Sequence, residues 1–187
     1  MKTIFLFFLI SIATSCSKTL SDKEKKEFTL KGKEIAEATA TNLVTNLSQK
    51  MKSGGVLEAV PFCNTMAQPL TEEIEKKYNA TIKRTSLSIR NEKNIPSEGE
   101  IIILNQYKNS FGKSETIEPI VTLDNSGTTH FYAPIVLQKK CLSCHGTVGK
   151  EVTKQTDSII KSYYPNDKAT GFKEGDLRGI WSVTFNK

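Results

Sequence analysis

The chain is 187 residues long, 37% hydrophobic and 25% charged, a size that buries one ordinary core and leaves no room for two substantial domains. Its 26 Lys and Arg against 20 Asp and Glu give a formal charge of +6, but the cations are scattered, with Lys23, Lys25, Lys26, Lys31 and Lys33 in one stretch and Lys139 and Lys140 in another. No nucleic-acid motif accompanies them, so nucleic acid is not expected as a partner, and the excess reads as solvated surface with some attraction for anionic headgroups or an acidic redox partner.

Residues 1–15 carry Lys2, an apolar run over 4–10 and a taper of small residues to Ser15, which predicts a secretory signal and is too short to span a bilayer. Ile12-Ala13-Thr14-Ser15-Cys16 resembles a bacterial lipobox, so cleavage is expected before Cys16, with acylation of that cysteine. Acyl chains there would hold the protein on a membrane through buried methylenes, at about 0.8 kcal/mol each. The expectation is an exported bacterial lipoprotein, periplasm-facing or surface-facing, whose domain stays soluble. Residues 16–27 are polar and read as a tether, and the domain is expected over 28–187.

From there Phe28, Ile35, Thr39, Leu43, Leu47 and Met51 recur at helical spacing, which predicts one long amphipathic helix broken by Ser53-Gly54-Gly55. Pro61 can open a helical turn, placing Phe62, Cys63, Met66 and Ala67 near one face of a short segment before Pro69. A second helix is expected over 70–78. Residues 81–89 alternate and are rich in Thr, Ser and Ile, the pattern of a strand. A helix over 98–109 follows, then a hairpin of 116–123 and 128–136 around Asp124-Asn125-Ser126-Gly127. After a loop come a helix over 156–164, stopped by Pro165, and a last strand over 177–185. Helices first and a mostly antiparallel sheet afterwards predict an α+β domain.

The loop holds Cys141-Leu142-Ser143-Cys144-His145-Gly146. Two thiols three positions apart with a histidine directly behind can add to the two vinyl groups of one haem while the imidazole takes the iron. A redox dithiol normally sits in a thioredoxin-like context, and a zinc site needs another close Cys/His pair; the chain has one other histidine, His130, and no second C-x-x-C. Export also commits the thiols. Cys16 goes to lipid and Cys141 and Cys144 to haem, which leaves Cys63 as either a small buried hydrophobe or a ligand candidate. His130 and Met66 read as structural. Trp181 and Phe185 read as core, and Gly171, Gly175 and Gly179 form no phosphate loop. Arg84, Arg90 and Arg178 are candidates for haem propionates, because a guanidinium matches a carboxylate bidentately.

Four blocks carry a resemblance to a known family: Ala59-Val60-Pro61-Phe62-Cys63; residues 83–91 with Asn94 and Pro96; Cys141 to Gly146; and Tyr164-Pro165-Asn166-Asp167 through Ala169-Thr170-Gly171-Phe172 to residues 175–183. Together they resemble the small mono-haem c-type domains with a PAS-like fold, long catalogued as a domain of unknown function. The resemblance runs from about Phe28 to the C-terminus. It implies a PAS-like antiparallel sheet with a long N-terminal helix and flanking helices, one covalent haem c in its pocket, and a thiolate from Cys63 opposite His145. Glu92 stands where family members usually have proline, and Gly99 where an aromatic is common; both lie in a turn away from the ligands.

A thiolate stabilises ferric over ferrous iron and sets a low reduction potential. Two functions follow as expectations: a membrane-tethered, low-potential single-electron carrier, or a redox or gas sensor in which Cys63 leaves on reduction and Met66, His130 or a gas replaces it. No signalling segment is expected after Lys187, so a sensor would need a separate partner, which favours the carrier. No acid–base pair stands out near the motif, so no enzyme is expected.

Overall fold

The computed structural model describes residues 19–113 and 117–186; the expected signal sequence and Cys16 lie outside them. Ser21 accepts from the Glu24 N–H while the Glu24 carboxylate accepts from the Ser21 N–H, and this reciprocal cap satisfies donors that a first helical turn leaves bare. The first helix, α1 (Asp22–Tyr78), therefore starts ahead of the expected Phe28 and takes over residues 22–27 of the expected tether. It is bent at Gly54 and Gly55, the latter at φ +62°, a conformation that glycine adopts without steric cost.

The two arms, 22–53 and 56–78, lie side by side. Asn42 Nδ2 donates to Leu70 O at 3.2 Å, and Tyr78 OH to Glu34 Oε1 at 3.0 Å. The break at 53–55 is as expected, but the separate segments expected around Pro61 and Pro69 are one continuous arm with both prolines inside it. Each proline removes a helix hydrogen bond. The arm persists because Ala59, Val60, Leu70 and Thr71 are buried along it, and packing outweighs propensity in most protein helices.

The remaining elements are β1 (Ala80–Thr85), α2 (Glu98–Gly112), β2 (Ile120–Leu123), β3 (Thr129–Val136), α3 (Leu142–His145), α4 (Lys154–Tyr163) and β4 (Leu177–Phe185). The four strands form one antiparallel sheet in the order β1-β4-β3-β2, giving the expected α+β architecture. The strand expected over 81–89 stops at Thr85. There the Ser86 hydroxyl accepts from the Ser88 N–H, and Thr85 donates its hydroxyl to Asn94 O, so Ser and Thr turn the chain away from the ladder.

Ile82, Val183, Phe131 and Val121 stand opposite one another across the sheet, and this row packs on Ile35 and Ala36 of the first arm. Gly32 lies against the Phe131 ring so closely that a Cβ there would overlap it. Phe185 is buried in the same core with its ring 4.8 Å from that of Phe28, and Trp181 packs at its edge. On the other face Tyr132 and Ile180 pack on Ile103, Leu104 and Tyr107 of α2. Strand alternation puts Arg84 on the α1 side with Ile82, in the row of Trp181 and Ala133. A half-buried cation thus shares a row with Trp181 and Ala133 at the edge of this core. Among the described residues no helix is long and apolar enough to cross a membrane.

Candidate functional site

From β3 the chain passes through a 3-10 turn, Lys139–Cys141, directly into α3. Helical spacing puts Cys141 and Cys144 on one side of this turn with His145 next in line. No disulfide joins Cys63, Cys141 or Cys144. His145 Nδ1 lies 2.7 Å from Ala169 O. A carbonyl can only accept, so the ring proton is on Nδ1 and Nε2 keeps its lone pair. Burial, reinforced by the cations Arg90 and Arg178, pushes His145 down to about 3, so the ring is neutral at neutral pH.

The loop that supplies Ala169 is pinned to α3 at several points. Gly171 N–H donates to Gly146 O at 2.8 Å and Phe172 N–H to His145 O at 3.0 Å, and the Phe172 ring meets the His145 ring edge-on. Arg90 Nε and Nη2 each reach an oxygen of Asp167 at 3.0 Å, and Nη2 also donates to Cys144 O at 2.7 Å and Ala169 O at 3.2 Å. The Arg90 and Asp167 side chains are 14% and 3% exposed. One guanidinium therefore fixes both the carbonyl behind the second thiol and the carbonyl that orients the imidazole, and a bidentate carboxylate fixes the guanidinium.

Arg178, on β4, donates to Ser88 O at 3.0 Å and lies over the Phe172 ring at 5.6 Å. Burial, with Arg90 nearby, lowers it to about 10, so it remains charged at neutral pH. Cys63 stands on the second arm of α1, one turn after Val60. Val60 is buried with Ile160 and Tyr164, and Cys144 packs on that cluster, so Cys63 and Cys144 share one region of the interior. Burial pushes the Cys63 thiol up, with the Arg84 cation opposing it. Among the described residues half-buried Arg84 makes no ion pair with a carboxylate; Cys63, Tyr164 and Arg178 are the ionisable groups near it.

The structure thus gathers Cys63, Cys144, His145, Arg84, Arg90 and Arg178, with Cys141 at the entry to the same turn. His130 is apart from them. It bonds Thr184 Oγ1 at 3.0 Å and Asp124 Oδ2 at 3.1 Å, and strand alternation puts it on the α2 side of the sheet with Tyr132. Met66 is 39% exposed. A surface cleft of about 410 Å³ runs outside Asp167, between Ile89, Ile95, Pro165 and Lys168, and none of the thiols lines it. No three His, Cys, Asp or Glu side chains converge as a metal cluster among the described residues. Sequence reasoning gave no role to Asp167, Ala169 or Tyr164; Asp167 pairs across 77 positions, and no local pattern announces such a bond.

The model of the family described as Tll0287-like matches residues 15–186. No curated protein matches the chain. Among solved structures, the crystal structure of the cyanobacterial heme-protein Tll0287 is similar, with a TM-score of 0.62 and 23% identity over 90% of this chain and 98% of that one. At this identity the likeness concerns the fold, and the fold is the PAS-like α+β arrangement that the motifs implied.

Proposed function

The chain belongs to the Tll0287-like family, and from that premise we propose that it is a haem protein: one haem c, bound by thioethers from Cys141 and Cys144, with His145 and Cys63 as iron ligands. The relative of similar fold is a heme-protein. The residues present fit the group: two thiols outside any disulfide on one turn, an imidazole with its Nε2 lone pair, and a third thiol in the same interior region. The observation that carries the reading is the bond from His145 Nδ1 to Ala169 O. Haem-ligating and metal-ligating histidines are oriented in this way, by a carbonyl on the nitrogen that does not bind the metal.

Haem held there supplies a one-electron couple, at low potential when a thiolate is one ligand. The chain's own residues orient the imidazole (Ala169), brace the attachment turn (Arg90 with Asp167) and exclude water (Tyr164 and Phe172). On this reading the protein is a low-potential electron carrier and not an enzyme, an exported lipoprotein held to a membrane through Cys16, and its partner is a separate redox protein. Acid–acetone extraction of the full-length protein tests the attachment: haem should stay with the chain, and should become extractable when Cys141 and Cys144 are both changed to Ser. Extractable haem in the unaltered protein would remove the thioether assignment. Labelling with a fatty acid should depend on Cys16, and label independent of it would remove the lipid anchor.

A second reading, a redox or gas sensor in which Cys63 leaves, draws support from the burial that raises the Cys63 thiol, since the surroundings disfavour the thiolate once the metal's charge diminishes. Carbon monoxide added to the reduced protein separates the two. A Soret shift favours the sensor, and an unchanged band favours the carrier.

A further inference from the structure

We propose that Arg90 is a positioning residue for His145: by sharing the Ala169 carbonyl it limits how strongly that carbonyl draws on the imidazole, and so sets the ring's donor strength toward iron. This rests on the haem reading above. Of the three arginines expected to meet haem propionates, Arg90 has other work. Its Nε and Nη2 donate to the two oxygens of Asp167, and Nη2 donates as well to Cys144 O at 2.7 Å and to Ala169 O at 3.2 Å. Ala169 O also accepts from His145 Nδ1 at 2.7 Å. A carbonyl oxygen has two lone pairs. Here one is engaged by the imidazole and one by a cation, on a residue that is fully buried.

The arrangement closes on itself. Asp167 Oδ1 accepts from Arg90 Nε at 3.0 Å and from the Ala169 N–H at 2.9 Å, so Ala169 is held at its N–H by the carboxylate and at its carbonyl by the guanidinium. The loop has other anchors in which Arg90 takes no part, Gly171 N–H on Gly146 O and Phe172 N–H on His145 O. Loss of the guanidinium therefore leaves the carbonyl beside the imidazole and changes what else it accepts. An acceptor behind a ligating imidazole raises the ring's basicity toward the metal, and a cation on the same oxygen withdraws part of that effect. Freed of Arg90, the carbonyl draws harder on the Nδ1 proton. The imidazole becomes a stronger donor, and hydrogen bonding of this kind favours ferric over ferrous iron.

Two readouts on the full-length haem-loaded protein test this. Arg90→Met alone would also remove a charge and leave Asp167 without its partner, so the variant is Arg90→Met combined with Asp167→Asn, which keeps the net charge of the site. With isotope-labelled histidine, and in the reduced protein under carbon monoxide, the nuclear magnetic resonance of the His145 Nδ1 proton should move downfield as its bond to Ala169 O strengthens. The midpoint potential should fall by at least a threefold change in the equilibrium, about 28 mV at about 59 mV per tenfold for one electron. Arg90→Gln combined with Asp167→Asn, which leaves a neutral donor, repeats the measurement if the first pair does not fold, with smaller shifts of the same sign. Either readout unmoved, or moved in the opposite sense as the loss of a mere loop anchor would move it, overturns the proposal. The haem reading fails differently: haem extractable from the unaltered protein, or a ferric spectrum unchanged by His145→Ala, removes the group before any Arg90 variant is compared.

Discussion

Asp167 is a carboxylate almost wholly hidden from water, paired with one guanidinium and taking the Ala169 N–H besides, and that makes Arg90 hard to replace. Changing Arg90 to Met leaves the carboxylate buried with the Ala169 N–H but without its ion-pair partner, and should cost about 3–5 kcal/mol, the usual loss when one partner of a buried pair is removed. Urea unfolding of the haem-loaded protein measures it, and adding Asp167→Asn should recover part of the loss. A loss below about 1 kcal/mol would mean that water already reaches the pair. The contrast with the Cys141-to-His145 motif is one of range. Cys141, Cys144 and His145 are legible because their chemistry needs only consecutive residues on one turn. Cys63, a lone thiol on a helix, reads by itself as core; it became a ligand candidate because expected export leaves it the uncommitted thiol, and the family resemblance implies the position opposite His145.

At the scale of single elements, Gly32 sets two effects against each other. Helix propensity alone favours Ala over Gly by about 1 kcal/mol, yet the methyl group would meet the Phe131 ring, and overpacking a core typically costs about 1–3 kcal/mol. Packing should win because Phe131 is itself fully buried and has nowhere to go. Gly32→Ala should therefore lower the thermal midpoint, and a higher midpoint would show that the first arm can lift off the sheet. The limits of the sequence reading lie at element ends for related reasons. The cap at Ser21 and Glu24 was present in the sequence but outweighed by the polar composition of 16–27, and the end of β1 depends on Ser86 and Thr85 bonding to backbone. The prolines of α1 read as boundaries because the burial that sustains the arm across them is supplied by the rest of the fold.

For the molecule as a whole, acid should act through a small set of groups of one sign. Burial alone would raise Glu100, but its bonds from Lys83, the Ser97 N–H and Ser182 outweigh this and hold it below the ordinary 4.5. Asp124 is also lowered, by the Thr128 and Ser126 donors and His130. A carboxylate with a lowered folded value contributes stability above its ordinary value, and that contribution is lost as pH falls through the folded value. Stability should therefore decline from about pH 5 downward, and Glu100→Gln should be less stable than wild type at neutral pH, with the gap closing in acid. A gap independent of pH would assign Glu100 a packing role. In the haem-free chain His145 adds a decline of the same sign, beginning near 6.5 and ending near 3, because the unfolded chain takes up the proton first. Chemical denaturation at several pH values, with and without haem, separates the two.

The doubled-back helix also settles how Cys63 can move. The second arm is anchored at Ala59 and Val60 by burial and again at Leu70 by Asn42, and Cys63 falls between these points, one turn beyond Val60. A beam held at both ends does not swing like a lever. Any separation of this sulfur from a metal would come from rotation about its own side-chain bond, a local event that leaves the backbone where it was. Backbone amide exchange along 56–70 should then be the same in both oxidation states, even if the ligand is not.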